Sequence, residues 1–194
     1  MVAAAGSVAG RAAKLNGVKR MARNVEEPAY TVVDTYASFE VRLYEETIQA
    51  RVRTDGQHYS NATGGFRRIA GYIFGGNQRN QRIAMTAPVH MWAEDGAHWM
   101  AFTMPSSLSM EQLPAPNDEG VLLVSNLAGH FAVLAFSGRS HPEKVAKKSQ
   151  RLLDAVKAEG MEVTGEVVLA VYNNPNTTLP FMRRNEVMVP VLPR

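Results

Sequence analysis

The sequence predicts an α+β domain in which an antiparallel sheet carries two helices and is built from two halves of like pattern. Three observations lead there. Short runs alternate apolar and polar residues or are rich in β-branched and aromatic ones, as strands do. Two stretches, near residues 70 and 150, place apolar residues at helical spacing. The order strands, helix, strands then occurs twice, with little residue identity between the halves, so the repeat is one of pattern. Two short helices cannot cover both faces of so many strands, and a curved or barrel-like sheet follows.

Residues 1–27 lack a sustained period and read as a tail; the domain is expected over 28–194. Tyr30 to Tyr36, Phe39 to Tyr44 and Thr47 to Thr54 read as strands of one antiparallel meander, closed by Asp55-Gly56. Phe66, Ile69, Ala70, Ile73 and Phe74 form one helical face. Ser60 or Asn61 is placed to cap that helix, and Gly75-Gly76 to stop it in the left-handed conformation. Glycines 64, 65 and 71 each cost about 1 kcal/mol relative to alanine in a helix, which points to close approach of a sheet or a ligand. Ile83 to Trp92 and Trp99 to Met104 read as strands about a turn at Glu94-Asp95-Gly96, before a Pro- and Ser-rich connection over Pro105 to Gly120. In the second half Val121 to Asn126 and Phe131 to Phe136 are strands. Ser140-His141-Pro142-Glu143 matches a capping box, and Val145, Ser149, Leu152, Leu153 and Val156 stripe the helix that Gly160 ends. Glu166 to Tyr172 and Glu186 to Val191 supply the last strands.

With 194 residues, 45% apolar and 20% charged, the chain suits one globular domain or two small halves on one core. A formal charge of +3 is too small to argue for nucleic acid. The absence of cysteine excludes disulfides and thiolate chemistry. No stretch reaches the roughly 18 apolar residues of a membrane span. The first twenty residues are small and then basic, the reverse of a secretory signal. They read as a tail or as the remnant of an export or anchoring segment, with the cytoplasm slightly favoured.

Chemistry is harder to find. Histidines 58, 90, 98, 130 and 141 form no HExxH or HxH spacing. His90 and His98 sit on neighbouring strands and are expected either to meet or to be separate rim imidazoles. His58, just before the first helix, is the histidine freest to act as an exposed ligand, and a weak candidate. No GxSxG elbow, P-loop or isolated carboxylate pair is present, and no enzyme is expected. Methionines 85, 91, 100 and 104 either fill the core or adapt to a flat apolar ligand. The run Thr178 to Glu186 sets aliphatic and aromatic groups beside Arg183 and Arg184. It reads either as a cradle for an apolar anion or as arginines bridging to Glu186 or a helix end.

Several motifs in series, GFRRIAGYIFGGN, IAMTAPV, FTMPSS, FAVLAFSG and GEVVLAVYNNPNTTLPFMRRNEVMVPV, resemble the SOUL haem-binding protein family from about Glu26 to Val191. The resemblance implies a distorted antiparallel β-barrel with two helices, similar in fold to gyrase-inhibitor-like small-molecule-binding domains. It implies non-covalent binding of haem or another tetrapyrrole in a shallow apolar cleft between the first helix and the loop before the final strand. The ligand side would then be Thr63, Phe66, Arg67, Ala70 and Tyr72 on the helix, and Leu179, Phe181 and Arg183 on the loop. A helix position that is lysine in some relatives is Gly71 here, so a propionate partner would come from Arg67, Arg68, Arg183 or Arg184. The alternative is a broader small-molecule or protein-partner module on the same fold.

Overall fold

A computed structural model of the chain describes residues 25–54, 63–126, 128–174 and 177–192. Its elements are β1 (Tyr30–Thr35), β2 (Glu40–Tyr44), β3 (Thr47–Thr54), α1 (Thr63–Ile73), β4 (Val89–Glu94), β5 (Ala97–Thr103), β6 (Leu122–Asn126), β7 (Gly129–Ser137), α2 (Pro142–Ala158), β8 (Glu162–Val163), β9 (Val168–Val171), a 3-10 turn (Pro180–Met182) and β10 (Arg184–Leu192). All strand pairs are antiparallel, in the order β1-β2-β7-β10-β9-β4-β5-β3-β6, with β8 added beside β10.

The order reveals a strand exchange. One half is β2-β3-α1-β4-β5 and the other β6-β7-α2-β9-β10, meeting at the β4–β9 pair. The first strand of each half leaves it: β2 pairs with β7, and β6 with β3. The expected meander is therefore wrong beyond β1–β2, because β3 pairs with β5 and β6 and not with β2. Yet only Glu45 and Glu46 separate β2 from β3, and three peptide steps span at most about 11 Å. On a flat sheet, six strand spacings would put β2 and β3 about 29 Å apart. The link from Asn126 to Gly129 makes the same demand on β6 and β7. The sheet therefore curls into two arms, tied by two short links whose ends pair, Tyr44 with Gly129 and Thr47 with Asn126. It stays open, since among the described residues β1 and β6 do not pair with each other, and the closed barrel is not what forms.

Alternation along the strands divides the side chains between two faces. Both helices lie on one face, α1 against β3 and β5, α2 against β7, β8 and β10. There Ala50, Val52, Met100, Phe102, Leu134, Val187 and Val189 form one core with Ile69, Tyr72, Ile73, Leu152 and Val156 of the helices. Met91, Met100 and Met104 belong to it, while Met85 is exposed. The other face carries a smaller cluster, Val133, Ala170 and Met188 with Tyr44, Phe131 and Tyr172 around it. It also carries a buried ion pair, Arg42 to Glu186 at 3.1 Å, with the Tyr172 hydroxyl donating to the same carboxylate at 2.6 Å.

Local expectations fared unevenly. Gly160 does end α2, at φ 68°, and Gly75 follows α1 at φ 111°. The capping box does not form, because His141 is the N-cap of α2 and makes no side-chain cap bond, which puts Glu143 one position too early. Phe74 is exposed rather than on the buried face, since the helix stops at Ile73 and Phe74 turns away to bridge Arg82. The β4 strand begins at Val89, six residues after Ile83, behind the cis bond between Ala87 and Pro88. Glu26 and Glu27, assigned to the tail, are held by the domain: Glu26 accepts from the Ser106 amide, and Glu27 pairs with Arg184.

The three helical glycines separate cleanly. A Cβ on Gly65 would lie 2.5 Å from Thr54 Cγ2 and 3.2 Å from Val52 Cγ2, so the close approach is to the sheet. Gly64 and Gly71 have nothing within 4 Å of that position. Gly71→Ala is expected to stabilise the fold by about 1 kcal/mol, and Gly65→Ala to destabilise it by about 1–3 kcal/mol through overpacking. Urea unfolding of both variants measures the difference, and equal effects would contradict the packing described.

Candidate functional site

The residues expected to line a ligand lie in unlike surroundings. On α1, Arg67 is exposed and Ala70 is half-buried, while Phe66 rests half-buried with its ring 5.3 Å from that of Phe102. Tyr72 is corrected outright: it is 1% exposed, and its hydroxyl donates to the Pro114 carbonyl at 3.0 Å, so it is a core residue. Its period explains this, since Ile69, Tyr72 and Ile73 together form the inner stripe. His58 lies outside the described residues, as does the side chain of Thr63.

In the loop, Leu179 and Phe181 are 59% and 72% exposed, and neighbouring Met182 is 55% exposed. Arg183 Nε donates to the Thr178 carbonyl at 2.9 Å, which holds the guanidinium against its own loop. Of the other arginines considered, Arg68 makes a two-pronged pair with Asp118, both contacts at 2.7 Å. That pair and the Gly120 amide hold the Asp118 carboxyl down at about 2. Arg184 pairs with Glu27 and lies 3.4 Å from the Tyr172 ring centroid. Neither Arg183 nor Arg184 bridges to Glu186, whose charge partner is Arg42.

Sequence reasoning missed a second place. A cleft of about 290 Å³ opens between the two arms of the sheet, on the face away from the helices. Tyr44 and Phe131 wall it on one arm, Gln49 and Arg51 on the other, with His90 and Met188 between. His90 and His98 do not meet: His90 is opposite Ala101 and His98 opposite Ala93, three rungs apart, which also puts them on opposite faces. His90 is buried and its Nδ1 has no hydrogen-bond partner among the described residues. Thr103 Oγ1, also lining the cleft, shares that condition. Burial, and then the charge of Arg51, push the His90 imidazole down to about 4. Among the described residues Arg51 hydrogen-bonds only neutral oxygens, Gln49 Oε1 and Asn126 Oδ1, each at 3.0 Å, and it lies 5.3 Å over the Trp92 ring. Burial lowers its affinity for a proton, which the charge of Glu94 partly offsets. The only advance signal was the alternation of β3 and β4, which puts Gln49, Arg51, His90 and Trp92 on one face once those strands are known to share a sheet.

Among the described residues no group of three histidines or carboxylates could hold a metal, and no helix is long and apolar enough to cross a membrane.

Comparison with known proteins matches residues 25–190 to the family model described as SOUL heme-binding protein. The mouse protein called Heme-binding protein 2 is 27% identical over 158 residues, 77% of this chain and 76% of that protein. Its human counterpart is 26% identical over 159 residues, with the same coverage. In structure the chain is similar to the EcmrR C-terminal domain, with a TM-score of 0.63 at 12% identity, covering 85% of this chain and 99% of that one. It is also similar to a hydrolase from Listeria innocua, with a TM-score of 0.56 at 14% identity, covering 82% and 94%. At these identities the two structures speak for the fold alone.

The buried imidazole has a measurable consequence. With a folded value near 4 against 6.5 when exposed, the unfolded chain takes up the proton first. The contribution of His90 to stability is therefore complete above pH 6.5 and falls as pH drops through 6.5 towards 4, by about 3 kcal/mol in all. Denaturant unfolding between pH 7.5 and 4 is expected to show that slope, and His90→Gln to flatten it.

Proposed function

The chain belongs to the SOUL heme-binding protein family, and on that premise we propose that it binds haem or a related tetrapyrrole without turning it over. The observation that carries the site is the exposed apolar turn Leu179, Phe181 and Met182 next to Arg183. Large apolar side chains exposed together mark an interaction surface. A tetrapyrrole offers a flat apolar face to such a turn, and carboxylates to guanidinium groups.

The residues present suit that ligand. Phe66 lies against Phe102, and the register runs from Phe102 through Val89 and Val171 to Asn185 at the start of β10. The strand under Phe66 and the start of β10 are thus three strand spacings apart along the sheet, roughly 14 Å, the scale of one macrocycle with its propionates. Arg67 on α1 and Arg183 on the turn would hold the carboxylates, while Phe181, Leu179 and the edge of Phe66 would pack on the ring. Among the described residues no histidine lies on α1 or on 177–183, and Met182 supplies the exposed thioether, a recognised type of haem ligand. Bound haem would bring an iron centre and a strong chromophore; the chain's part is to hold and shield it.

Haemin titrated against the full chain is expected to give a saturable Soret shift that survives His58→Ala. Phe181→Asp, at an exposed position, is expected to weaken binding about ten- to a hundredfold without loss of fold, as removing one buried aromatic contact does. Arg183→Ala should weaken haemin more than a haemin esterified at both propionates. A titration without saturation overturns the haem reading, and loss of the Soret band over time with reductant present overturns binding without turnover.

A further inference from the structure

We propose that the cleft between the two arms of the sheet is a second binding site, separate from the haem surface, for a small planar aromatic carboxylate. The inference stands apart from the haem reading, because none of the α1 or 179–183 residues lines this cleft.

Volume sets the size of the occupant. At about 290 Å³ the cleft is at the lower limit of ligand pockets, suited to one or two fused rings rather than a macrocycle. Its apolar lining is largely aromatic: Tyr44 and Phe131 meet edge to face at 5.6 Å on one arm, Trp92 stands on the other, and Met188 lies beside the first pair. Such walls select a flat ring.

Its polar groups select the substituents. His90 Nδ1 and Thr103 Oγ1 are buried and unpartnered among the described residues, and an unmet buried polar group costs about 1–3 kcal/mol. A ligand bearing a hydroxyl or carboxylate would satisfy them both. His90 is neutral at physiological pH, so it offers a hydrogen bond and not a charge. The charge inside the cleft is Arg51, whose hydrogen bonds go only to amide oxygens and which makes no ion pair among the described residues. A half-buried guanidinium held by neutral groups and backed by Trp92 is a carboxylate receptor.

The opposing consideration is acidity at the mouth, where Glu45, Glu94 and Glu166 also line the cleft. All three are exposed, so water and salt screen them, whereas Arg51 acts from a drier position. The Glu94 carboxylate is further engaged by the Trp92 indole N–H at 3.1 Å. An anion held at depth by Arg51 is favoured over a cation held at the rim.

Salicylate is the probe, because it has one ring, one carboxylate and one hydroxyl; benzamidine is the cationic control. Calorimetric titration of the full chain is expected to show saturable salicylate binding, no comparable benzamidine binding, and undiminished haemin binding with salicylate present. Arg51→Gln is expected to weaken salicylate about tenfold or more, and Thr103→Val to weaken it less, each with the native circular dichroism spectrum and an unchanged haemin titration. Phe131→Trp, which fills the cleft without touching a charge, should abolish it. Benzamidine binding as tightly as salicylate, or salicylate binding unaffected by Arg51→Gln, overturns the proposal. So does competition between salicylate and haemin, which would place both ligands on one surface.

Discussion

Two links of two residues each constrain everything else in this fold. Tyr44 to Thr47 and Asn126 to Gly129 join strands that lie six places apart in the sheet. Three peptide steps cannot cross that distance on a flat sheet, so the sheet must curl until its arms nearly meet. The curl gives the helices a convex platform, encloses a cleft on the other face, and makes each half supply a strand to its neighbour. Ordinary β-hairpins at the two links would pair β2 with β3 and β6 with β7 and leave no cleft.

The two faces are stabilised by different means. The helix face is a single apolar core spanning both halves. The opposite face is tied at its centre by Arg42 and Glu186, which are 6% and 3% exposed. Burial alone would make the Arg42 guanidinium easier to deprotonate, but Glu186 and Tyr44 reverse that and hold it firmly charged. Burial raises both tyrosines of this network, Tyr44 and Tyr172, so their hydroxyls stay protonated beside the carboxylate. Removing one partner of such a pair typically costs about 3–5 kcal/mol, because the other is left buried and uncompensated. The ion pair joins β2 to β10 across β7, and so ties strands from different halves together within one arm of the sheet.

Much of the element list was legible in the sequence, because strand alternation and helical spacing are local properties. The boundaries of β1, β3, α1 and α2 fell within a few residues of the alternation and the apolar stripes. The partner of each strand was not legible. Nothing in Glu40 to Tyr44 shows that it will pair with Gly129 to Val133 rather than with the strand two residues away. The site suffered for the same reason. Leu179, Phe181 and Arg183 could be picked from one continuous run, and they do lie at the surface. Tyr72 was placed on the ligand side by the resemblance alone, although its spacing of three from Ile69 puts it on the stripe that packs. The cleft could not be assembled at all, since Tyr44, Arg51, His90 and Met188 converge only through the exchange of strands.

That exchange also bears on how the chain is made. The hairpin of β1 and β2 emerges from the ribosome with one edge intended for β7, whose first paired residue comes about 85 positions later. At ordinary synthesis rates the wait is about 4–17 s. During it a strand with apolar Val41 and Leu43 is paired with β1 alone and lacks the partner of its other edge. Many of the native pairings, β2 with β7 and β3 with β5 and β6 among them, are non-local, which slows folding. Swapping β2 between two chains would satisfy the same hydrogen bonds as pairing within one. The order of synthesis, with β2 released well before its acceptor β7 and β6 made only after β3, thus leaves the first exchange open longest and gives the fold a route to dimers by strand exchange.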